Sequence, residues 1–416
     1  MRWLSSGITA IDSAGQGTCD GLGRGRVSER RARRARVGAA ACFLLTGVIS
    51  ASWASRVPAI KGGLSLSDGE FAIALLGLEA GAVLGLQLGG LVVPRTGSRK
   101  ALAGSLLMFS GALLGAAVAP NLPVLAASLF LFAALNSIVD VAMNAQGVAV
   151  QRLMGRPVLS GLHAMHSLGG VLGAGAGALA ARLGVAPSPH FLLAAAVTVV
   201  AGPVVIPLLL PSRVDAESSG DTSADMGGLR RWFSGWSGHV ALLGSLAFCF
   251  TLAEGAGLNW SAVYVADDLG GSEALGAIGL GVFLGMVTLG RLAGDRFVSR
   301  FGAVRVFRVG AVVAGAGFGG ALLVDAPVAG LIGLGLLGMG IANALPLAIA
   351  AGGKAPGETP ATAAARVSTV GYLGSFVGPV LVGGMASLYG LPFALGLPAL
   401  LVLATAFGAR VVRQAG

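Results

Sequence analysis

Carboxylic acids interrupt three long apolar stretches of this sequence, at Glu79, Asp140 and Glu254. An ionisable group inside such a stretch is costly to bury and is therefore a candidate functional group. Burial favours the neutral form of a carboxyl group, which suits the group to carrying a proton. The three acids are thus candidate proton-binding or substrate-binding residues, and the alternative for each is a structural role.

Two asparagines accompany Asp140. Asn136 and Asn144 stand four residues before and after it, which places the three side chains along one stripe of a helix. The stripe avoids lipid by facing the interior of a helix bundle. Two interpretations stay open: a proton site flanked by amide donors, or a hydrogen-bond cluster between helices. Glu79 has Gln87 two turns further on, so it could simply pack against a polar neighbour.

Glu254 shares a helix face with Thr251 and Ser261. Its functional interpretation is proton coupling or substrate contact. Its structural interpretation is a salt bridge, either to Arg56 or to a residue of another span.

Five further polar or aromatic residues are candidates for substrate contact. His163 and His166 could relay protons, because histidine titrates near neutral pH, but they could equally be structural. Two histidines at this spacing, without a nearby carboxylate or cysteine, do not indicate a metal site. Tyr372 and Asn343 could hydrogen-bond substrate or fill a helix interface, and Trp260 could stack on a sugar-like ring or anchor its helix at the membrane surface.

Membrane-spanning helices must position these residues. The 416 residues are 55% hydrophobic and 11% charged, whereas a soluble domain carries roughly 25% charged residues. The apolar runs are about 20 residues long and uniformly apolar, which predicts helices and not alternating barrel strands. Twelve spans are predicted, at residues 37–57, 70–92, 101–119, 122–150, 159–183, 189–210, 239–265, 273–294, 303–324, 327–350, 361–388 and 390–410.

Hydrophilic segments divide the chain into two bundles of six spans. Residues 1–36 are rich in arginine, glycine and serine and are predicted to form a disordered basic cytoplasmic tail. A first bundle over 37–210 and a second over 239–410 are joined by a hydrophilic cytoplasmic linker, 211–238. Residues 411–416 form a short cytoplasmic tail.

The charges predict the orientation of these spans. Twenty-five of the 28 lysines and arginines fall on the side of the termini and the linker. Basic loops stay in the cytoplasm, so we expect both termini there, in a multi-pass protein of the bacterial cytoplasmic membrane. The net charge of +10 then follows from topology and needs no nucleic-acid partner. We expect a monomer in the lipid bilayer, without a cofactor or metal.

The two predicted bundles repeat each other in sequence at an offset of 205 residues. Arg95 and Gly97 after the second span match Arg300 and Gly302 after the eighth, and the Leu-Gly pair ending at Gly169 has its match 205 residues later. Parallel six-span repeats are typical of one transporter architecture, whose substrate site lies at the midplane between the halves.

Twelve spans, a hydrophilic linker and a basic loop after the second span resemble the major facilitator superfamily. The family's loop signature is Gly-x-x-x-Asp-Arg-x-Gly-Arg-Arg/Lys, and here it runs from Gly90 to Lys100 with Pro94 at the acidic position. The resemblance implies an all-α fold of two pseudo-symmetric bundles and a gate near this loop. The implied gating residues are Arg95, Gly97 and Arg99 in the first half and Arg291, Asp295 and Arg296 in the second.

Three shorter runs are similar to the MosC-like permeases, a subgroup distantly akin to fucose permeases. They are the run from Trp53 through Arg56-Val57-Pro58-Ala59-Ile60-Lys61, the run Asp140-Val141-Ala142-Met143-Asn144, and Glu254 with Asn259-Trp260-Ser261.

The resulting functional hypothesis is a secondary active transporter, coupled to protons, for a small sugar-like or other polar solute. A multidrug-type efflux permease is the first alternative, and a non-transporting sensor on the same fold is the second. A membrane enzyme is disfavoured because the short loops carry no catalytic cluster. The chain also lacks the Gly-x-x-x-x-Gly-Lys-Ser/Thr motif of ATP-driven pumps.

Overall fold

A computed structural model of the chain describes residues 14–156, 158–211, 236–355 and 360–413. Twelve helices in these ranges are long and apolar enough to cross a membrane, which confirms the predicted fold class. They are called the first to twelfth spans. Their bounds are Ala14–Ser55, Asp68–Thr96, Ser98–Ala117, Leu122–Met154, Leu159–Arg182, Pro187–Val205, Gly238–Val263, Glu273–Phe301, Ala303–Ala321, Pro327–Ile341 continued by Ala344–Gly352, Pro360–Tyr389 and Leu391–Gly408.

The first helix begins at Ala14, inside the segment predicted to be a disordered tail. Its part from Arg30 onward is long and apolar enough to cross a membrane. Ala32 and Ala35 are buried while the arginines around them are exposed, so this basic stretch is amphipathic and extends the first span. Residues 1–13, most of the predicted linker (212–235) and residues 414–416 lie outside the described residues.

The 205-residue repeat is present in the backbone. The second and eighth spans begin and end at equivalent residues, and Ser67 and Ser272 cap their N-termini through the side-chain oxygen. Gly97 ends the second span with φ 82° and ψ 145°, and Gly302 ends the eighth with φ 80° and ψ 151°. Glycine is favoured at both positions because a side chain is strained at such a φ.

Glycines bring neighbouring helices into backbone contact within each half. A Cβ atom at Gly169 of the fifth span would overlap the Leu44 carbonyl oxygen of the first span. The equivalent Gly374 of the eleventh span meets the Phe248 carbonyl of the seventh in the same way. Small residues allow this approach in a membrane, where apolar burial does not drive helices together.

The second and eleventh spans bring the two halves together closely near one face of the membrane. Twelve alternating spans place both chain ends on one face, here called the terminal face, and the opposite face is called the distal face. Near the distal face the second and eleventh spans touch, with Gly69 beside Ser387 and Ala72 beside Gly383. Toward the middle they separate around a cleft of about 710 Å³ between Leu76 and Leu381. The contact between these two spans is therefore tight at the distal face and widens toward the terminal face.

Candidate substrate and proton site between the two halves

A buried arginine joins the halves at the distal face. Arg56 follows the first span, is 1% exposed, and places its Nε atom 2.8 Å from the Glu273 Oε1 atom at the start of the eighth span. Its Nη2 atom also donates to the Val185 carbonyl oxygen at 2.6 Å. Burial lowers the pKa of Arg56, and the Glu273 carboxylate opposes that shift. The pair compensates a buried charge and ties the first half to the second.

Lys61 forms a second link at the distal face. Its Nζ atom lies 3.0 Å from Asp68 Oδ1 in its own half and 3.0 Å from Asp267 Oδ2 in the other. Burial acts to lower the pKa of Lys61, but hydrogen bonds and charge attraction from both aspartates outweigh it, so that the pKa is raised. Lys61 is thus held as a cation between the halves.

Trp260 contributes an apolar seal beside these pairs. The indole is fully buried, donates from Nε1 to the Pro379 carbonyl oxygen at 2.9 Å, and meets Phe71 of the other half edge to face at 5.4 Å. In this conformation the ring is enclosed by protein, and its predicted roles, stacking on a sugar or anchoring at the membrane surface, stay predictions.

Deeper in the protein, polar groups from both halves converge. Asn144 donates from Nδ2 to the Asp140 Oδ1 atom at 3.1 Å and to the Asp140 carbonyl oxygen at 2.9 Å. In the second half, Arg291 Nη2 donates to Glu254 Oε1 at 2.9 Å. The charges of Asp140, Glu254 and Arg291 all act on Tyr372, whose side chain is 54% exposed. The Asp140, Glu254, Arg291 and Tyr372 cluster is called the central cluster below.

The two histidines border this cluster. The charge of Arg291 acts on both His163 and His166. The exposed His163 ring packs edge to face against Phe43 at 5.1 Å. The fifth span of the first half packs against the eighth span of the second, which carries Arg291.

The partner of Glu254 corrects one expectation. The suggested salt bridge to Arg56 is wrong, since Arg56 pairs with Glu273 at the distal face. Glu254 pairs instead with Arg291, which was expected to act in the gating loop.

The gating loops themselves are single residues. Gly97 and Gly302 separate consecutive helices, so Arg95 and Arg99 lie in helical turns, and so do Arg291, Asp295 and Arg296 of the eighth span. Arg95 Nη1 donates to the Leu91 carbonyl oxygen of its own helix at 2.7 Å.

Three predicted site residues form no hydrogen bond with the central cluster among the described residues. Asn343 sits at the break in the tenth span and donates to the Gly290 carbonyl oxygen at 2.8 Å, which is a structural link. Asn136 buries its Oδ1 atom without a hydrogen-bond partner among the described residues. Glu79 and Gln87 line the cleft between the second and eleventh spans.

Sequence reasoning missed the acids Glu273, Asp267 and Asp68 of the distal face. A signal was available, because Arg56 and Lys61 are two of the few basic residues on the side that basic residues avoid. A lysine or arginine on the distal face, where basic residues are rare, indicates an acidic partner.

A family model for the Major Facilitator Superfamily matches residues 37–379. The chain belongs to this superfamily. An uncharacterised MFS-type transporter of Yersinia pestis is 36% identical over 375 residues, which cover 89% of this chain and 94% of the relative. The membrane protein MosC of Rhizobium meliloti is 30% identical over 354 residues, covering 85% and 84%. The predicted resemblance to MosC-like permeases is thus confirmed.

Solved structures of the superfamily share the fold. The nucleoside transporter NupG superposes with a TM-score of 0.70 at 14% identity, covering 92% of this chain and 99% of NupG. A D-xylose-proton symporter gives 0.68 at 14%, covering 90% and 96%. The E. coli fucose:proton symporter FucP gives 0.57 at 17%, covering 91% and 98%. The superfamily member described here is therefore a multi-pass membrane protein from a family of transporters, which are not enzymes.

Proposed function

We propose that the protein is a proton-coupled secondary active transporter for a small polar solute, such as a sugar or another polyhydroxylated compound. The observation that carries this proposal is the central cluster, in which the charges of Asp140 from the first half and of the Glu254–Arg291 pair from the second half all act on Tyr372. A solute bound there contacts both halves at once, so the relative motion of the halves moves the solute between faces.

The proton role is assigned to Asp140. The Asn144 amide occupies Oδ1 and leaves Oδ2 to take up a proton, whereas Glu254 is already neutralised by Arg291. Protonation removes a buried charge and so changes the relative stability of the two access states. The Glu254–Arg291 pair and the Tyr372 hydroxyl are assigned to the hydroxyl groups of the solute, because they supply both donors and acceptors.

Alternating access follows from the distal contacts. In this conformation the Arg56–Glu273 and Lys61–Asp267 pairs close the distal face. Opening that face requires both pairs to break as residues 37–210 rock against 239–410. Coupled closure of the terminal face completes the cycle.

The terminal face is proposed to be cytoplasmic, in the cytoplasmic membrane of a bacterium, with a monomer as the functional unit. The support is the charge bias of 25 among 28 basic residues. Leu323 is 88% exposed on the distal turn after the ninth span. A Leu323→Cys thiol should therefore react with a membrane-impermeant reagent added outside intact cells. Protection of this thiol, with labelling only after permeabilisation, would reverse the orientation.

The solute class draws support from the solved structures. The names of three of them give a nucleoside, D-xylose with protons, and fucose with protons as what they transport. All three solutes are rich in hydroxyl groups, which matches the mixed donors and acceptors of the central cluster.

Proton-driven transport in proteoliposomes tests the proposal. A panel of pentoses, hexoses, deoxyhexoses and nucleosides is added under an imposed pH gradient while an internal dye reports proton flux. For Asp140→Asn we expect no solute-driven proton flux but continued solute exchange, and for Glu254→Gln the loss of both. Asp325→Asn, at an exposed distal turn, is the matched neutralisation and should behave as wild type.

The results of this assay distinguish between the proton site, proton coupling and transport itself. Proton flux that persists in Asp140→Asn contradicts the proton site. Solute exchange by the wild type without proton movement contradicts coupling but leaves transport in place. A wild type that moves no compound favours the sensor interpretation.

A specific observation favours multidrug-type efflux as the second candidate. The cleft between the second and eleventh spans is lined mainly by apolar side chains, including Leu76, Val83 and Phe376, around the carboxyl group of Glu79. An apolar cleft with one acid suits a lipophilic cation. Proton-driven transport of such cations that is lost in Glu79→Gln and kept in Asp140→Asn would select this function.

A further inference from the structure

An apolar groove runs along the outside of the second half near the terminal face. It has a volume of about 400 Å³ and lies between the eighth, ninth and tenth spans, with Phe297, Val309 and Met339 among its walls. Val309 is 60% exposed and Phe301 is 46% exposed, so the groove opens toward lipid. From Arg305 to Val313 the ninth span rises about 12 Å, which is the length of a partly extended acyl chain.

A basic cleft of about 550 Å³ adjoins the end of this groove. Four arginines line it: Arg305 and Arg308 from the ninth span, and Arg410 and Arg413 from the end of the chain after the twelfth. Phe301 and Arg305 line both the groove and the cleft. The two spaces are therefore continuous, with the cations at the membrane surface and the apolar walls below them.

The four cations have no charge partner within the described part of the chain. All four are exposed, none forms an ion pair with another described residue, and no acidic side chain is among the described residues that line the cleft. Arg308 donates from Nε to the Ala406 carbonyl oxygen at 3.2 Å, which orients its guanidinium group. Four clustered cations repel one another, so the cleft favours an anion with several oxygen acceptors.

We propose that this cleft and groove bind one anionic phospholipid of the adjacent leaflet. The phosphate lies among Arg305, Arg308, Arg410 and Arg413, and one acyl chain occupies the groove beside Val309. Arginine suits a phosphate because its planar fork donates two parallel hydrogen bonds. A lipid is favoured over free phosphate because the cations open directly onto a lipid-facing apolar surface. The bound lipid bridges the turn at Gly302 and the end of the twelfth span.

Native mass spectrometry of the full chain in detergent tests this site. The probes are a phosphatidylglycerol and a phosphatidylcholine with the same acyl chains. We expect selective retention of phosphatidylglycerol, weakened about fivefold by Arg305→Gln or Arg410→Gln alone and roughly 25-fold by the two together. The matched control is Lys100→Gln, because Lys100 is the repeat equivalent of Arg305 in the first half, and it should retain the lipid as wild type does.

A second variant tests the groove itself. Val309→Trp fills the groove without changing charge, and it should weaken phosphatidylglycerol binding while all four arginines remain. The proposal is overturned if the wild type retains phosphatidylglycerol and phosphatidylcholine equally. It is also overturned if the double variant retains phosphatidylglycerol as well as the wild type does. Unchanged binding in Val309→Trp combined with displacement of the lipid by millimolar inorganic phosphate would overturn it too, because that result would indicate a simple anion site.

Discussion

The buried Arg56–Glu273 pair gives a prediction about the balance between access states. Glu273→Gln removes the carboxylate charge but keeps the size and shape of the side chain. Arg56 keeps its bond to the Val185 carbonyl oxygen and loses its only carboxylate partner among the described residues. The distal-closed state buries this arginine, and opening that face exposes the arginine to water. The substitution therefore destabilises the closed state more than the open one.

The size of the effect follows from the exposure of the two partners. Removing one member of a fully buried pair costs about 3–5 kcal/mol, whereas an exposed pair contributes about 0–1 kcal/mol. The Arg56 side chain is 2% exposed and the Glu273 side chain is 30% exposed, so the pair lies between these limits. We expect a cost of about 1–2 kcal/mol, which moves the equilibrium toward the distal-open state by about 5- to 30-fold.

Distances between spin labels on the two halves measure this shift. The labels are placed on cysteines at Leu183 and Leu323, which are 68% and 88% exposed on the distal turns. The three native cysteines, Cys19, Cys42 and Cys249, are replaced first. Glu273→Gln should transfer population from the short-distance to the long-distance peak of the distribution.

Asp325→Asn serves as the matched control, since it neutralises an exposed distal acid that forms no ion pair with any other described residue. It should leave the distance distribution unchanged. If Glu273→Gln also leaves it unchanged while the protein remains monodisperse, the pair does not hold the distal face closed and the reasoning is refuted.

Three further predictions concern stability, pH and the Trp260 contact. Gly374→Ala should destabilise the protein by about 1–3 kcal/mol, because the added Cβ meets a backbone carbonyl that cannot rotate away. Gly175→Ala is the control and should leave the stability unchanged, because the space around its Cβ is open. Thermal unfolding in detergent measures both effects. The raised pKa of Lys61 means that its links stay intact below the ordinary lysine pKa of about 10.4 and are lost only as pH rises beyond it. The difference in distal label distances between wild type and Lys61→Gln should therefore be the same at pH 7 and at pH 9. A difference that changes between these two pH values would contradict the assignment of Lys61 as a cation. Trp260→Phe should cost about 1 kcal/mol through the lost bond to Pro379 while the transport KM stays constant; a raised KM with unchanged stability would support the stacking role.

The linear pattern of the chain predicted much of the architecture. Hydropathy and residue spacing indicated the number of spans and the register of the repeat. They also placed a glycine after the second span and after the eighth, at Gly97 and Gly302. The first-span boundary was wrong because Ala32 and Ala35 alternate with arginines, and average hydropathy does not register a narrow apolar stripe. The tenth-span break at Asn343 was also unforeseen, since the residues on either side of it are uniformly apolar.

The candidate site was only partly predictable. Asp140, Glu254 and Tyr372 stood out because a polar group inside an apolar run is visible in one dimension. Their partners were not visible: Arg291 lies 37 residues from Glu254 and looked like a loop cation. Trp260 looked available for a ligand, and only the packing of Phe71 from the other half shows that the ring is enclosed.

The sequence alone determined that this is a twelve-span membrane protein made of two repeated halves, because burial in lipid constrains each segment independently of the others. Tertiary structure decided which acid meets which base, that the distal face is closed, and that polar groups of both halves share one cluster. Those properties depend on contacts between distant segments, whose energies are set by distance and burial and not by order along the chain.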